Sequence, residues 1–564
     1  MRLVKQSGLI WLGLVVLVVG CAPQGPGAGQ GRAGDAAATA PSAPKRITAA
    51  MMGNPPVIYE RIIGGGSGGR VPGIDALELL VNMGLTVKND KGVLLPMVAE
   101  AVPTIENGMW RIFPDGRTET SWKIKPGVSW HDGAPFTSAD LLFLTRVEQD
   151  PALPVERQAA YAVIESIEAP DAQTVTVKWK SPYIEADDFF SRSAIARHIL
   201  EPIYLQDKEA FLGSAYWGAE FVGNGAYKVR EWVRDSHVIL TANDQYVMGR
   251  PKIDTIEVRF LADENAFMAA ILAGAVDVTL GKSITLEQTL QIRDQWRDGE
   301  IRALPETAMK IWPQFVNPSP AVILDVRFRK AAFHAINRQE MVDTIMGGLS
   351  SVAHSVILPN EPELAEVQDA IVRYDYDPRR AAQMIEEIGY TKAPDGFYRD
   401  AGGQQLRVEL SATAEDQNTK PMFATADSWQ RLGIAVDPVS IPIQRQRDRE
   451  YRATFPGFTL QGGASGVAAI KNSHGSQSRL PENNYTGSNY ARYANPEFDA
   501  TIDRFLTTIS HGERMNALRQ VVRHMTDTLN MMNLYYAMSS TMVRNNVVNV
   551  PVRIQWNAQE WDVR

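Results

Sequence analysis

Cysteine is nearly absent from this chain: one residue, Cys21, in 564. No intramolecular disulfide can form, and a cysteine-ligated zinc site is excluded. A basic excess is also missing. Lys and Arg number 57 against 65 Asp and Glu, net −8, so a nucleic-acid footprint is not expected and no nucleic-acid partner is read. The eight histidines, His131, His198, His237, His334, His354, His474, His511 and His524, include no pair three to five residues apart and no HExxH. Nothing here argues for a metal site or a cofactor. Hydrophobic residues make up 45% and charged residues 22%, an ordinary globular balance that excludes bulk disorder, a collagen-like fibre and a multi-span membrane protein. The length corresponds to about three or four domain-sized units.

Catalytic constellations are equally thin. Gly65-Gly-Ser67-Gly-Gly69 matches the letters of a hydrolase elbow, but five glycines around one serine read more simply as a loop than as the tight, apolar-packed strand-to-helix turn an elbow needs. Gly274–Ser283 (GAVDVTLGKS) has six residues between its glycines where a phosphate loop needs four. Asp187 and Asp188 are adjacent acids, a pattern that is usually solvated surface. No catalytic residue is assigned, and an enzyme is not expected.

What the chain does have begins at residue 1. Arg2 and Lys5 precede Gly8–Gly20 (GLIWLGLVVLVVG), 13 uncharged residues. A spanning helix needs roughly 20 apolar residues, so this run has the length of a signal-peptide core. It ends Val18-Val19-Gly20-Cys21, which resembles the lipobox of bacterial lipoproteins. That resemblance implies cleavage after residue 20 and lipidation of Cys21. Residues 21–44, rich in Gly, Ala, Pro and Gln, cannot bury enough apolar surface to order themselves and read as a flexible tether.

The body mixes strands and helices without an exact repeat. Periodicity and stop signals predict helices at Ile74–Met83, from Thr137 as N-cap with Asp140 three positions on, and at Asn265–Ala273, Asp325–Met346 (interrupted near Asn337), Asp377–Ile388, Pro421–Leu432, Asn495–Leu506 and Gly512–Leu529. Alternation predicts strands at Thr118–Ile124, Val163–Ala169, Thr174–Trp179, Ala226–Trp232, His237–Ala242, Ile253–Phe260, Lys310–Val316, Leu406–Ser411, Ile434–Val439, Val543–Val550 and Arg553–Trp556.

Trp122–Leu142 (WKIKPGVSWHDGAPFTSADLL) resembles the signature of the bacterial family 5 extracytoplasmic solute-binding proteins, the peptide and nickel group, through Trp130-His131-Asp132-Gly133 and Phe136-Thr137-Ser138-Ala139-Asp140. Six further segments match in order. They are Gly223-Asn-Gly-Ala-Tyr227 with Trp232, Ala242-Asn-Asp-Gln-Tyr246 with Gly249-Arg-Pro251, Leu272-Ala-Gly274-Ala-Val-Asp277, Asp325–Ala331 with Ala335–Arg338, Tyr376-Asp377-Pro378 with Gly389-Tyr390, and Asn495–Asp499. Asn224, Ala226 and Asn337 depart from the family's usual Thr, Pro and Asp.

The resemblance implies an α/β, two-lobed periplasmic-binding-protein fold (cluster C, type II) with an extra subdomain in lobe I. Mapped here, residues 1–20 are the signal peptide and 21–44 the tether. Lobe I is 45–310 with the extra subdomain at about 60–205, lobe II is 311–540, and 541–564 returns to lobe I. The implied function is that of a monomeric, extracytoplasmic lipoprotein, anchored to the cell membrane through Cys21. It would capture a peptide-like or other small polar solute between its lobes and deliver it to an ABC permease with its ATPase subunits. A secreted lipoprotein hydrolase, and a binding protein for signalling or envelope assembly on the same fold, are the other readings.

In peptide-binding members a lobe II loop carries an acid that pairs with the peptide's ammonium. The matching region here, Phe455–His474, contains no Asp or Glu, and its fixed charge is Lys471. It offers Gln461, Gly463 and Ser465 instead, with Trp312, Phe315, Tyr485 and Tyr490 as flat walls. This set suits an uncharged polar ligand, or a peptide-like one without a free amine.

Overall fold

The computed structural model describes residues 43–564, apart from 60–70, 154, 156–157, 192, 282–283 and 553–554 and the side chains of 159 and 443. The apolar leader, Cys21, most of the tether and Ser67 lie outside the described residues. Every described strand and helix belongs to the unit Pro44–Arg564.

Ten strands form one sheet, in the order Ala435–Ile441, Arg407–Thr413, Phe458–Gly463, Gly299–Pro313, Met532–Arg544, Val278–Thr279, Arg46–Met52, Thr255–Leu261, His237–Ala242, Tyr227–Val233. Each end has a parallel nucleus: Arg46–Met52 runs parallel to Thr255–Leu261 and to Val278–Thr279, and Arg407–Thr413 runs parallel to both of its neighbours. Between the two nuclei lie the long strands Gly299–Pro313 and Met532–Arg544, antiparallel to each other. The buried apolar side chains divide accordingly. Those from Ile47 to Trp296, joined by Met542 to Trp561, form one group with the single addition of Ile509, and those from Ala308 to Tyr536 form the other. The molecule is therefore two-lobed, and the chain crosses between lobes along the two long strands. Their register slips twice, once where Glu306 is extra between Pro305 and Thr307 and once where Leu534 is extra on the partner. Such bulges bend and twist a ladder without breaking it.

Within the first lobe a separate antiparallel sheet, Trp110–Ile112, Thr118–Lys123, Thr174–Trp179 and Ile164–Asp171, carries the helix Ser138–Gln149. At the start of that helix Asp140 Oδ2 accepts from Thr137 N–H at 2.8 Å and from Thr137 Oγ1 at 3.2 Å, which satisfies the cap residue's backbone N–H. Trp122, Trp130 and Trp179 are fully buried beside it. The Trp-His-Asp and Gly-Asn-Gly segments are one joint. His131 Nδ1 accepts from Gly223 N–H at 3.2 Å, its Nε2 lies 3.1 Å from Gly225 O, and burial pushes its pKa down to about 4. Asn224 accepts from Met83 N–H at 2.7 Å and donates to Met83 O at 3.0 Å. Gly223 and Gly225 must stay bare, since a Cβ would sit 2.0 Å from Val81 O in one case and 2.4 Å from Val81 C in the other. These residues are scaffold.

Several expected elements change. The strand expected at Lys310–Val316 is Gly299–Pro313, starting eleven residues earlier and ending before Phe315. Its first half, EIRALPE, carries three charges and a proline and reads as loop, yet Pro305 is tolerated at the bulge. The strand expected at Val543–Val550 is mainly Met532–Arg544, with a short Val547–Val548 pairing Asp562–Val563. Gln555 and Trp556 are not in a strand, and Arg553 lies outside the described residues. The helix placed from Pro421 begins at Asp416, with Pro421 inside its second turn. The Asp325–Met346 stretch is two helices, Val326–His334 and Arg338–Thr344, the second capped by Asn337.

Candidate functional site

Two segments of the second lobe line an open cavity of about 440 Å3. The first follows the strand Ala435–Ile441. Pro442 and a turn at Ile443–Arg445 end that strand, and Asp448 then starts a short helix, Arg449–Ala453, by accepting from Tyr451 N–H at 3.0 Å. The cap fixes the direction of the helix, and Arg447, Arg449 and Arg452 line the cavity. The second segment reverses tightly through Asn484 (φ 53) and Tyr485 (φ 56), both left-handed. Gly487 follows, where a Cβ would meet Gln477 O at 2.2 Å. This turn lays Tyr485 on the cavity wall, and Arg479 Nε donates to Gly487 O at 2.9 Å across its base.

Among the described residues, none of these four arginines has a carboxylate within ion-pair distance. The nearby acids have other partners: Asp448 holds Arg445 at 3.0 Å, and Glu450 accepts from Tyr485 Oη at 3.0 Å. Arg452 donates to the Gln461 side-chain carbonyl at 2.6 Å and to Gln446 O at 3.3 Å. The Arg479 guanidinium is held below its ordinary pKa by burial, with the charges of Arg452 and Arg449 adding to the shift. Arg479 lies 3.5 Å from the Tyr490 ring centre and Arg452 lies 6.0 Å from it.

Tyr490 carries the arrangement inward. Its ring is 5.5 Å from that of Trp312, and the ammonium of Lys310 is 5.6 Å from the Trp312 ring. Lys310 is 1% exposed and donates to Ala464 O at 2.6 Å and Gly463 O at 3.3 Å. No carboxylate within ion-pair reach is described for it, and burial pushes its pKa down to about 7. Cations and aromatic faces thus run from the cavity to the sheet.

The residues singled out from sequence fall into three sets. Tyr485 lines the cavity, Gln461 holds Arg452, and Tyr490 and Trp312 form the aromatic link. Gly463 and Ser465 stand behind Lys310: Gly463 O also accepts from Ser465 Oγ at 3.0 Å, and Ser465 Oγ accepts from Ala308 N–H at 2.8 Å. Phe315 points elsewhere, to Tyr493 at 4.8 Å and to Arg329 at 4.8 Å. The segment read as a loop with freed backbone groups is instead partly a strand. Phe458–Gly463 pairs in register with residues 313–308, and the Gly463 carbonyl is taken up by Lys310 and Ser465. Sequence reasoning missed the arginines. The signal was present as four arginines among the eight residues 445–452, but alternation with Gln, Asp and Glu makes that run look like solvated surface.

Asp187 and Asp188 lie on the first lobe, away from this cavity's lining. Asp188 pairs with Lys88 at 2.9 Å. Burial, followed by the charge of Asp188, raises the Asp187 carboxyl to about 6. Close by, Glu185 reaches Lys471 of the second lobe at 3.9 Å. Asn360 donates to Asp90 O at 3.1 Å, and Ile184 packs against the second lobe's core, so the lobes touch at this rim. Among the described residues no cluster of His, Cys, Asp and Glu could hold a metal ion, and no helix is long and apolar enough to cross a membrane.

Comparison with known proteins agrees with this architecture. NikA of Brucella suis, solved in complex with Fe(III)-EDTA, superposes with a TM-score of 0.72 at 19% identity, covering 92% of this chain and all of that one. The oligopeptide-binding protein AppA of Bacillus subtilis is 22% identical over 462 residues, 79% of this chain and 81% of its own. A Brucella ovis protein named for ABC transporter peptide binding is 30% identical over 284 residues, 50% of this chain and 51% of its own. The match thus spans about half the length of that curated relative. The family model for the middle region of the bacterial extracellular solute-binding proteins, family 5, matches residues 100–472. With two thirds of its length under that match, the chain belongs to the family 5 extracellular solute-binding proteins.

Proposed function

We propose that this chain is the substrate-binding component of an ABC importer, which captures a small polar or peptide-like solute between its lobes and presents it to a membrane permease. The observation that carries the reading is the pair of long strands joining two separate cores, bulged at Glu306 and Leu534. A bulged two-strand connection lets two rigid bodies rotate, and a solute touching both shifts the population toward the closed form. The lobe boundaries then fall near residues 305 and 538 rather than 310 and 541. The extra subdomain is the four-stranded sheet and its helix within about 60–205. Membership of a binding-protein family favours this over a secreted hydrolase. A role in signalling or envelope assembly on the same fold is separated from import by whether uptake of the bound solute requires the chain.

The decisive experiment is to purify the protein, identify the co-purified solute by mass spectrometry, and measure small-angle scattering with and without it. The radius of gyration is expected to fall on binding. Tight binding without compaction, or chemical turnover of the solute, would overturn the reading. Anchoring at Cys21 belongs to the same proposal: Cys21→Ser should change membrane fractionation, and an unchanged distribution would refute it.

A further inference from the structure

The cavity in the second lobe has a property that the import reading does not require. Four arginines, the exposed Arg447 and Arg449 and the half-buried Arg452 and Arg479, line one open space of about 440 Å3. Like charges brought together cost free energy unless an opposite charge joins them. Proteins usually supply that charge from a neighbouring Asp or Glu, but here Asp448 and Glu450 are already engaged by Arg445 and Tyr485. Of the remaining acids in the same turns, Glu482 is exposed. The anchoring of the four groups is also one-sided. Gln461 and Gln446 O orient Arg452, and Gly487 O and the Tyr490 face orient Arg479, while no described hydrogen bond ties down Arg447 or Arg449. Buried Lys310, linked to the cavity through Trp312 and Tyr490, is a further amine with only carbonyl partners for its N–H groups. Arginine forks match the planar oxygens of carboxylates and the tetrahedral oxygens of phosphate bidentately.

We propose that this cavity binds the anionic part of the transported solute, and that the solute carries at least two negative charges, as carboxylates or as a phosphate ester. The proposal rests on the import reading and narrows it. It replaces the uncharged ligand expected from the acid-free segment Phe455–His474 with a charged one. That segment lacks acids because it borders a cationic space, and it contributes Gln461, a neutral group, to aim an arginine.

The test is calorimetry on the full-length protein in detergent, with citrate as the polycarboxylate, glycerol 3-phosphate as the phosphate ester, and trialanine and raffinose as the probes that lack excess negative charge. One of the two anions is expected to bind at least tenfold more tightly than trialanine or raffinose, and the better anion identifies the source of the charge. Its affinity should fall steeply with added salt. Arg452→Gln and Arg479→Gln should each weaken it tenfold or more. Arg449→Gln, on the exposed rim, serves as the variant least able to disturb folding and should weaken it threefold or more with an unchanged melting curve. Anion binding unaffected by all three substitutions, or no anion binding while trialanine or raffinose binds, would overturn the proposal. Scattering separates this failure from that of the import reading. If an uncharged or zwitterionic solute compacts the protein, the receptor stands and the anion assignment falls. If anions bind without compaction, the cavity is not the transported-solute site. If no probe and no co-purified solute compacts the protein, both readings fall.

Discussion

The second lobe holds two kinds of arginine, and they differ in what saturates them. Behind the sheet, Arg338 donates to Ala353 O at 2.8 Å, Asn533 O at 3.1 Å and Tyr374 O at 2.5 Å, and its guanidinium lies 4.5 Å from the Phe333 ring centre. Arg329 does the same with Thr528 O and Ile323 O, over Phe315. Both are buried, and desolvation pulls both pKa values down to about 10, yet their donors are spent on main-chain carbonyls. The cavity arginines keep donors in hand and repel one another. Burial with full saturation makes a cation part of the frame, whereas spare donors leave it able to hold a visitor. The family-like segment 325–338 therefore belongs to the frame, and the unremarkable run 445–452 does not.

The comparison can be broken by mutation. Arg338→Ala strands three carbonyls and should cost about 3–5 kcal/mol in urea denaturation, with affinity for the solute unchanged in whatever fraction stays folded. A loss below about 1 kcal/mol would show that carbonyl saturation is not what makes it structural.

Lys310 sits between the two classes, buried but held only by two carbonyls. Lys310→Met should stabilise the solute-free protein by roughly 1–4 kcal/mol. The effect has a defined pH dependence. The folded pKa is about 7 against 10.5 for an ordinary lysine. Between those values the unfolded chain holds the extra proton, so wild-type stability rises as pH climbs from about 7 to about 10.5. The advantage of Met is largest below pH 7 and shrinks through that window. Melting curves at pH 6 and pH 10 decide it, and an advantage equal at both would be inconsistent with a buried titrating amine.

On the first lobe, Asp187 offers the opposite sign. Its carboxyl is raised to about 6 from 3.8, so the folded form prefers the proton and stability falls as pH rises from about 4 to about 6. Asp187→Asn should remove that slope and gain on the order of 1 kcal/mol at pH 7. The smallest change is expected from Arg449→Gln, within about 0.5 kcal/mol in the same denaturation assay. A clear destabilisation there would move Arg449 into the structural class.

Several helices were legible from a polar cap, but Leu286–Gln295 behind Thr285 and Lys208–Leu212 behind Asp207 were not. Thr137 with Asp140, Asn337, Asp377 and Asn495 each cap a helix start at or within a residue of the expected one. The parallel strands near Thr255 and Arg407 were legible from their β-branched and apolar alternation. The crossing strands were not. Residues 299–305 are half-exposed and charged, and residues 532–542 are an almost unbroken buried run, so neither shows a period of two. Phe458–Gly463 hides because its glycines weaken local propensity while two neighbouring strands hold it in the sheet. The candidate cavity was partly legible: Gln461, Trp312, Tyr485 and Tyr490 border it or its aromatic link, but Arg479 lies 27 positions from Arg452, and no spacing rule joins residues brought together by a left-handed turn.

The crossing strands carry one more consequence. Thr307 lies opposite Ala537 on adjacent strands, so the chain leaves the first lobe and re-enters it at neighbouring rungs. Everything between is topologically a cassette whose two ends are already paired. A short turn joining Pro305 to Met538 would close the first lobe on itself. The excised segment would keep its own parallel nucleus and most of its own apolar cores. A gene encoding such a cassette can be exchanged between relatives without retracing the path of the rest of the chain, so the cavity chemistry can be replaced while the body that carries it is left in place.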